Sequence, residues 1–391
     1  MDLYLALLVG SLIFLSSFLS IRFMISAALI EIVLGAIAGN YLGLYQTEWI
    51  QYLGEFGGIV LTFLAGTEVD VLVLKSKLKE SLIIGGTSFL MPFIGGFLFV
   101  YYVLHWSIQS SEIVGLVLST TSLAVIYALL VETGLVKSEL GKLLMTACFI
   151  TNLLSVIFLS ILFAQINWFT LLFLIVSIFT IVFTPRIIDK MTRSFGFKVV
   201  EPELKFLFFV LFALMYLAKL GNNHAILPAF ILGLTMTDYF KNINKELETR
   251  FRAIAFTMLT PFFFIRGGLN ISFSMLGKNI WLVLGIFFVK IITKTAGVLP
   301  FAVRYVPKEA MYTTLLMSTG LTFGIIFSQY GLSIGAIDKE QFSILVTTEI
   351  LSAVMPTLIA QKFFEPKHVY KSIEEKESVK KTIYEAGKED V

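Results

Sequence analysis

Cysteine is almost missing from this chain: Cys148 stands alone among 391 residues. That excludes a disulfide framework and a thiolate metal cluster. Histidine is nearly as scarce, and His105, His224 and His368 are too scattered to form a zinc site. Charged residues make up only 15% against 57% hydrophobic, with a mean hydropathy of +0.87. A soluble domain could not bury that much apolar surface, so lipid is the expected solvent. No basic leader precedes the first apolar run, which reads as a true span and not as a cleaved signal. A repeated filter-like loop is lacking, which argues against a channel. No nucleophile–base pair or metal constellation points to an enzyme, and nothing implies a cofactor or a nucleic-acid partner.

What is present is apolar length. Windows of about 20 residues place spans near 3–21, 24–44, 50–67, 83–104, 113–131, 142–164, 168–184, 204–220, 225–238, 253–275, 280–300, 310–331 and 341–361. The expected fold is an all-α polytopic membrane protein of about 13 transmembrane helices. Assigned alternately to two sides, the loops are very unequal in charge. One side collects Arg22, Lys75, Lys77, Lys79, Lys137, Lys142, Arg186, Lys190, Arg193, Lys198, Lys205, Lys241, Lys245, Arg250, Arg252, Arg304 and Lys308; the other holds Lys278 and Lys339. The positive-inside rule makes the first side cytoplasmic, with the N-terminus outside and the C-terminus inside. Spans 1–6 and 8–13 form two halves joined by span 7, and an odd connector inverts the second half. The Lys/Glu-rich tail at 362–391 reads as a solvated cytoplasmic end.

Two spans carry nearly the same polar interruption, LSTTSLA at 118–124 and MSTGLTF at 317–323, each in the fifth position of its half. Unwinding there frees backbone groups that lipid cannot satisfy, so they must face protein, water or an ion. Ser119, Thr120, Thr121 and Ser122 mark one break, and Ser318, Thr319, Gly320, Thr322 and Gly324 the other. One such cluster could be Ser/Thr back-bonding to its own helix; two at matching positions point to crossing broken helices around an ion site. Cations also lie within spans: Lys290 and Lys294, four residues apart on one face of span 11, and Arg266 after Pro261 in span 10. Lys294 could snorkel, Lys290 is too deep to do so, and Arg266 could cap broken backbone. Among acids, Glu31, Glu55, Glu68, Asp70, Glu132 and Glu349 lie in or near spans, mostly toward an end. The core thus reads as positive and uncompensated, with Thr151 and Asn152 at the middle of span 6 where an acid would be useful.

Six strings occur in order on these spans: FLAGTEVD (63–70), LSTTSLAVIYALLVETG (118–134), TACFITNLL (146–154), LTPFFFIRGGL (259–269), KTAG (294–297) and LLMSTGLTFG (315–324). Together they resemble the second family of the monovalent cation:proton antiporter superfamily, which holds the NapA-like and Kef-like sodium or potassium/proton exchangers. The resemblance implies an antiporter membrane domain over 1–361. A dimerisation part would cover about 1–80 and 204–278, and a core ion-transport part about 81–164 and 279–361. A linker helix would span about 165–203, and the protein would be a homodimer. It makes Lys294 the span-11 lysine, ahead of Lys290, and gives Thr120, Thr121 and Ser318 to Thr322 to the crossing. Asn152 falls where the family carries its ion-binding aspartate, with Thr151 before it. Asparagine is isosteric with a protonated aspartate and cannot be charged. The chain is therefore either a natural variant or an engineered, inactivated one, and as written it is expected to be inactive or impaired.

The expected activity is exchange of Na+, or K+, for H+ by elevator-like alternating access in the cell membrane. An acid at 152 would hold a proton or a cation in competition, aided by Thr120, Thr121, Ser155 and Lys294. Two other readings stay open: a non-transporting receptor or scaffold with this fold, and an organic-anion carrier using Lys290, Lys294 and Arg266.

Overall fold

The computed structural model describes residues 2–23, 26–68, 78–133, 135–136, 138–164, 168–195, 201–221 and 223–366. Asp70, Lys75, Lys77, Lys137, Lys198 and the tail from 367 onward lie outside the described residues, as does the side chain of Glu132. Every regular element described is helical. Backbone in lipid has no water to bond, so a helix, which closes its hydrogen bonds within the segment, is what these Leu-, Ile-, Phe- and Ala-rich runs can form.

The helices are α1 (Asp2–Phe23), α2 (Ala27–Tyr41), α3 (Glu48–Thr67), α4 (Leu78–Leu98), α5 (Ile108–Ser119), α6 (Leu123–Glu132), α7 (Glu139–Leu162), α8 (Trp168–Phe195), α9 (Pro202–Leu220), α10 (Ile226–Asn242), α11 (Lys245–Ile254), α12 (Thr260–Leu269), α13 (Phe273–Lys278), α14 (Ile280–Tyr305), α15 (Ala310–Met317), α16 (Thr322–Ser333) and α17 (Lys339–Phe364). Eight rods among the described residues are long and apolar enough to cross a membrane: those starting at Leu3, Leu78, Ile108, Glu139, Trp168, Ile280, Pro307 and Lys339. The remaining expected spans coincide with α2, α3, α9, α10 and the α11–α12 rod, which are shorter, more charged or less apolar.

Helix starts are marked by polar caps that satisfy first-turn amides. Ser107 Oγ accepts from Ser110 N at 3.1 Å before α5, and Ser138 Oγ from Gly141 N at 3.0 Å before α7. Asp338 and Gln341 form a reciprocal capping box at α17.

The packing falls into two groups. In one, α3 lies against α10 and α12, and α2 against α12. In the other, α4 is wrapped by α14, α7 and α5, while α17 packs on α14, α15 and α16. Glycine permits the tightest approach in the first group. A Cβ on Gly66 would overlap the Phe230 carbonyl, and one on Gly233 the Phe63 carbonyl, so α3 and α10 meet backbone to backbone. The outward faces of α1 and α8 expose Leu3, Phe14, Phe18, Trp168, Ile178 and Phe179, as lipid-facing surfaces do.

Candidate functional site

Both sequence interruptions are breaks in helices. Backbone leaves helical geometry at 120–122 between α5 and α6, and at 318–321 between α15 and α16. The two breaks touch. Ser122 N donates to Thr319 O at 3.0 Å, and Thr121 Oγ1 donates to Met317 O at 3.0 Å. The first interruption thus supplies donors for carbonyls that the second leaves open.

Asn152, on α7, closes the first break. Its Nδ2 donates to Thr121 O at 2.8 Å, and its Oδ1 accepts from Thr121 N at 3.2 Å. One amide side chain therefore meets both halves of an unwound residue, a donor-plus-acceptor task that an ionised carboxylate cannot perform. Thr151 Oγ1 points away from the break and donates to Ala147 O and Gly85 O, holding α7 to α4. Ser155 Oγ donates to Thr151 O and lies 3.2 Å from Ser119 Oγ, so both hydroxyls sit beside the first break.

Lys294, on α14, is fully buried, which removes snorkelling as an account of it. Its Nζ donates to Ser119 O at 2.7 Å, Ser88 Oγ at 2.9 Å and Thr121 Oγ1 at 2.9 Å. An ammonium has three donors, and all three have neutral oxygens. The charge rests on the C-terminal end of α5, where the half-helix dipole is negative.

Lys290 departs from the sequence expectation. The core was read as positive and uncompensated, with deep carboxylates missing; instead Glu349, on α17, is fully buried and accepts from Lys290 Nζ at 2.6 Å. Lys290, ranked behind Lys294, is the lysine that holds an acid. Its pair lies in the crossing: Glu349 Oε2 is 3.3 Å from Thr120 Oγ1. A Cβ on Gly320 would overlap both Glu349 Oε2 and Lys290 Nζ, and one on Gly324 would overlap the carboxylate, so the second break leaves room for the pair.

Other candidates serve elsewhere. Ser318 Oγ and Thr319 Oγ1 back-bond to Thr314 O and Leu316 O within their own helix. Arg266 does not cap a break: its guanidinium pairs with Glu55 at 3.3 Å near the other end of the molecule. Glu68 pairs with Arg252 at 3.5 Å, away from the crossing. Crowding by protein raises the Glu68 carboxyl above its usual range, and Arg252 opposes that rise.

A cavity of about 550 Å³ leads to the crossing, lined among others by Glu31, Glu68, Asn152, Leu321, Thr322 and Thr357. A second cavity of about 530 Å³ opens at the opposite end, beside Glu55, Lys219, His224, Arg266 and Gln329. Neither cavity is lined by Lys290 or Lys294.

Three comparisons bear on this arrangement. A family described as "Sodium/hydrogen exchanger, transmembrane" matches residues 6–364. A probable Na+/H+ antiporter of Methanocaldococcus jannaschii is 27% identical over 387 residues, covering 93% of this chain and 97% of the relative. A Na+/H+-K+ antiporter of Bacillus cereus is 25% identical over 359 residues, covering 88% and 92%. Among solved structures, a sodium proton antiporter of Methanocaldococcus jannaschii at pH 8 superposes with a TM-score of 0.67 at 18% identity, over 93% of this chain and 98% of the other.

Proposed function

This chain belongs to the sodium/hydrogen exchanger family, and on that premise we propose that it exchanges Na+ for H+ across a membrane by alternating access. K+ is a second candidate cation, since a Bacillus cereus relative is named for both. The observation that carries the reading is the contact of two broken helices at the floor of a deep cavity, with paired buried charges beside it. Half-helix ends and hydroxyls offer neutral oxygens suited to an alkali cation, and a buried acid offers the place where a proton and a cation compete.

The wider reading goes with it: thirteen spans, a core part moving against a dimerisation part, a homodimer, and a cytoplasmic C-terminus. Exchange of one proton against one cation would be electroneutral, so an imposed membrane potential should leave the rate unchanged; a clear dependence on potential contradicts this stoichiometry.

The organic-anion reading needs Lys290, Lys294 and Arg266 exposed to a cavity; both lysines are fully buried, while Arg266 lines the second cavity with Glu55 as its partner. Inactivity is expected on the ground that Asn152 stands where the family carries its aspartate; Glu349 is a second acid beside the crossing, and flux measurement decides between them. The test is proton flux in proteoliposomes under Na+ and then K+ gradients, for this chain and for Asn152→Asp. Exchange by either supports the antiporter reading, and the more effective cation names the substrate. Silence from both leaves the receptor or scaffold reading.

A further inference from the structure

Asn152 can neither gain nor lose charge near neutral pH, so a proton-coupled exchanger built on this crossing needs its acid elsewhere. Resting on the antiporter reading above, we propose that Glu349 is the acid at which proton and cation exchange in this chain. The acid has in effect moved from α7 to α17, while Asn152 remains to hold the break together.

The geometry around the carboxylate points to a place for a proton or a small cation. Oε1 is occupied by Lys290 Nζ at 2.6 Å. Thr120 Oγ1 shares its one hydrogen between Val117 O at 2.8 Å and Glu349 Oε2 at 3.3 Å, so the bond to Oε2 is the longer and weaker one. Oε2 is therefore the less satisfied carboxylate oxygen, with lone pairs left for a proton or a cation. A proton on Oε2 donates to Thr120; a hard monovalent cation is shared by the two oxygens instead. Gly320 and Gly324 keep this space free of side chain, and Ser352 Oγ lies 3.4 Å from Gly320 O on the same side. By contrast, all three Lys294 donors are taken by neutral oxygens, and Asn152, tied to the Thr121 peptide, cannot ionise.

The charged groups facing Glu349 are Lys290 and, one turn further along α14, Lys294. From α5 it meets Thr120, from the second break Gly320 and Gly324, and from its own helix Ser352, none of which titrates. The exchange step balances simply: the O–H bond of protonated Glu349 breaks, the proton leaves to water, and a cation takes its place against the carboxylate. No electrons move. The route to water is short, because Leu321, Thr322 and Ala353, one turn from Glu349 on α17, line the cavity.

The experiment compares Na+-driven proton flux in proteoliposomes for the native chain, Asn152→Asp, Glu349→Gln, Glu349→Asp and the double variant Glu349→Gln/Asn152→Asp. The native chain should exchange, Glu349→Gln should fall to the rate of protein-free vesicles, and Glu349→Asp should retain part of the rate. Restoring an acid in Glu349→Gln/Asn152→Asp should bring exchange back, which also shows that this background folds. Exchange by Glu349→Gln at the native rate overturns the inference. So does a silent native chain beside an active Asn152→Asp, although that result leaves the family reading intact. Silence from both the native chain and Asn152→Asp overturns the reading and this inference together. Should the double variant stay silent, Na+-dependent thermal stabilisation decides. The native midpoint should rise with Na+ while that of Lys290→Gln/Glu349→Gln stays fixed, and an equal response in both, including none, overturns the inference.

Discussion

The three donors on Lys294 Nζ meet one open helix-end carbonyl and two hydroxyls. Replacing it by methionine keeps the stem but strands the Ser119 carbonyl. Each lost charged hydrogen bond is worth roughly 1.5–3 kcal/mol, so Lys294→Met should lower the unfolding midpoint in detergent clearly, and an unchanged midpoint contradicts the assignment. The Lys290–Glu349 pair obeys different arithmetic. Breaking one side leaves an uncompensated buried charge and costs about 3–5 kcal/mol, whereas replacing both by apolar groups of similar size is often neutral or better. Lys290→Met should therefore be much less stable than Lys290→Met/Glu349→Leu, and the reverse order in thermal unfolding would refute a true buried pair. His224 lies between α9 and α10 against the Tyr330 ring, and burial pushes its pKa down from 6.5 to about 4. Between those values the unfolded chain binds a proton that the folded chain refuses, so stability rises with pH across that window. His224→Gln should flatten the change in unfolding midpoint between pH 4 and pH 6.5; an equal slope in both proteins removes His224 from the cause.

At the scale of the element, the breaks are written in the sequence more openly than the charges are. LSTTSLA and MSTGLTF announce themselves because Ser, Thr and Gly interrupt otherwise unbroken apolar helix. Depth along one span is legible too, which is how Lys290 was marked as unable to snorkel. What one helix's pattern does not give is which neighbour it faces. Glu349 is 59 residues from its partner, and nothing local to α17 tells that it meets α14. One signal was available: 290 and 349 both lie near the middle of spans running in the same direction, 280–300 and 341–361, and pairing equal depths would have joined them. The role of Asn152 was equally hidden, because its partner is the backbone of Thr121 and a peptide group carries no sequence signature. Close helix contacts make their own prediction. Gly233→Leu must push α10 away from Phe63 O, and overpacking of this kind typically costs about 1–3 kcal/mol. A fall in unfolding midpoint is the expected result, and a neutral outcome would mean that α3 and α10 do not meet as closely as described.

For the whole molecule, two cavities open at opposite ends, and the one lined by Glu31 and Glu68 is the one that reaches Asn152 and the crossing. The loop-charge asymmetry makes the cytoplasmic side the expected side of that cavity. With Cys148 buried as the native thiol, Thr357→Cys should react with a membrane-impermeant thiol reagent from the cytoplasmic face and not from outside. Labelling from outside alone would invert the orientation. The claim on which everything else depends is that one buried site holds a proton or a cation but not both. The direct measurement is the pH of an unbuffered solution of the purified native chain as NaCl is added, with choline chloride as the control for ionic strength. A saturable acidification by Na+, absent with choline, is the expected result; no proton release at any starting pH between about 5 and 9 would contradict it.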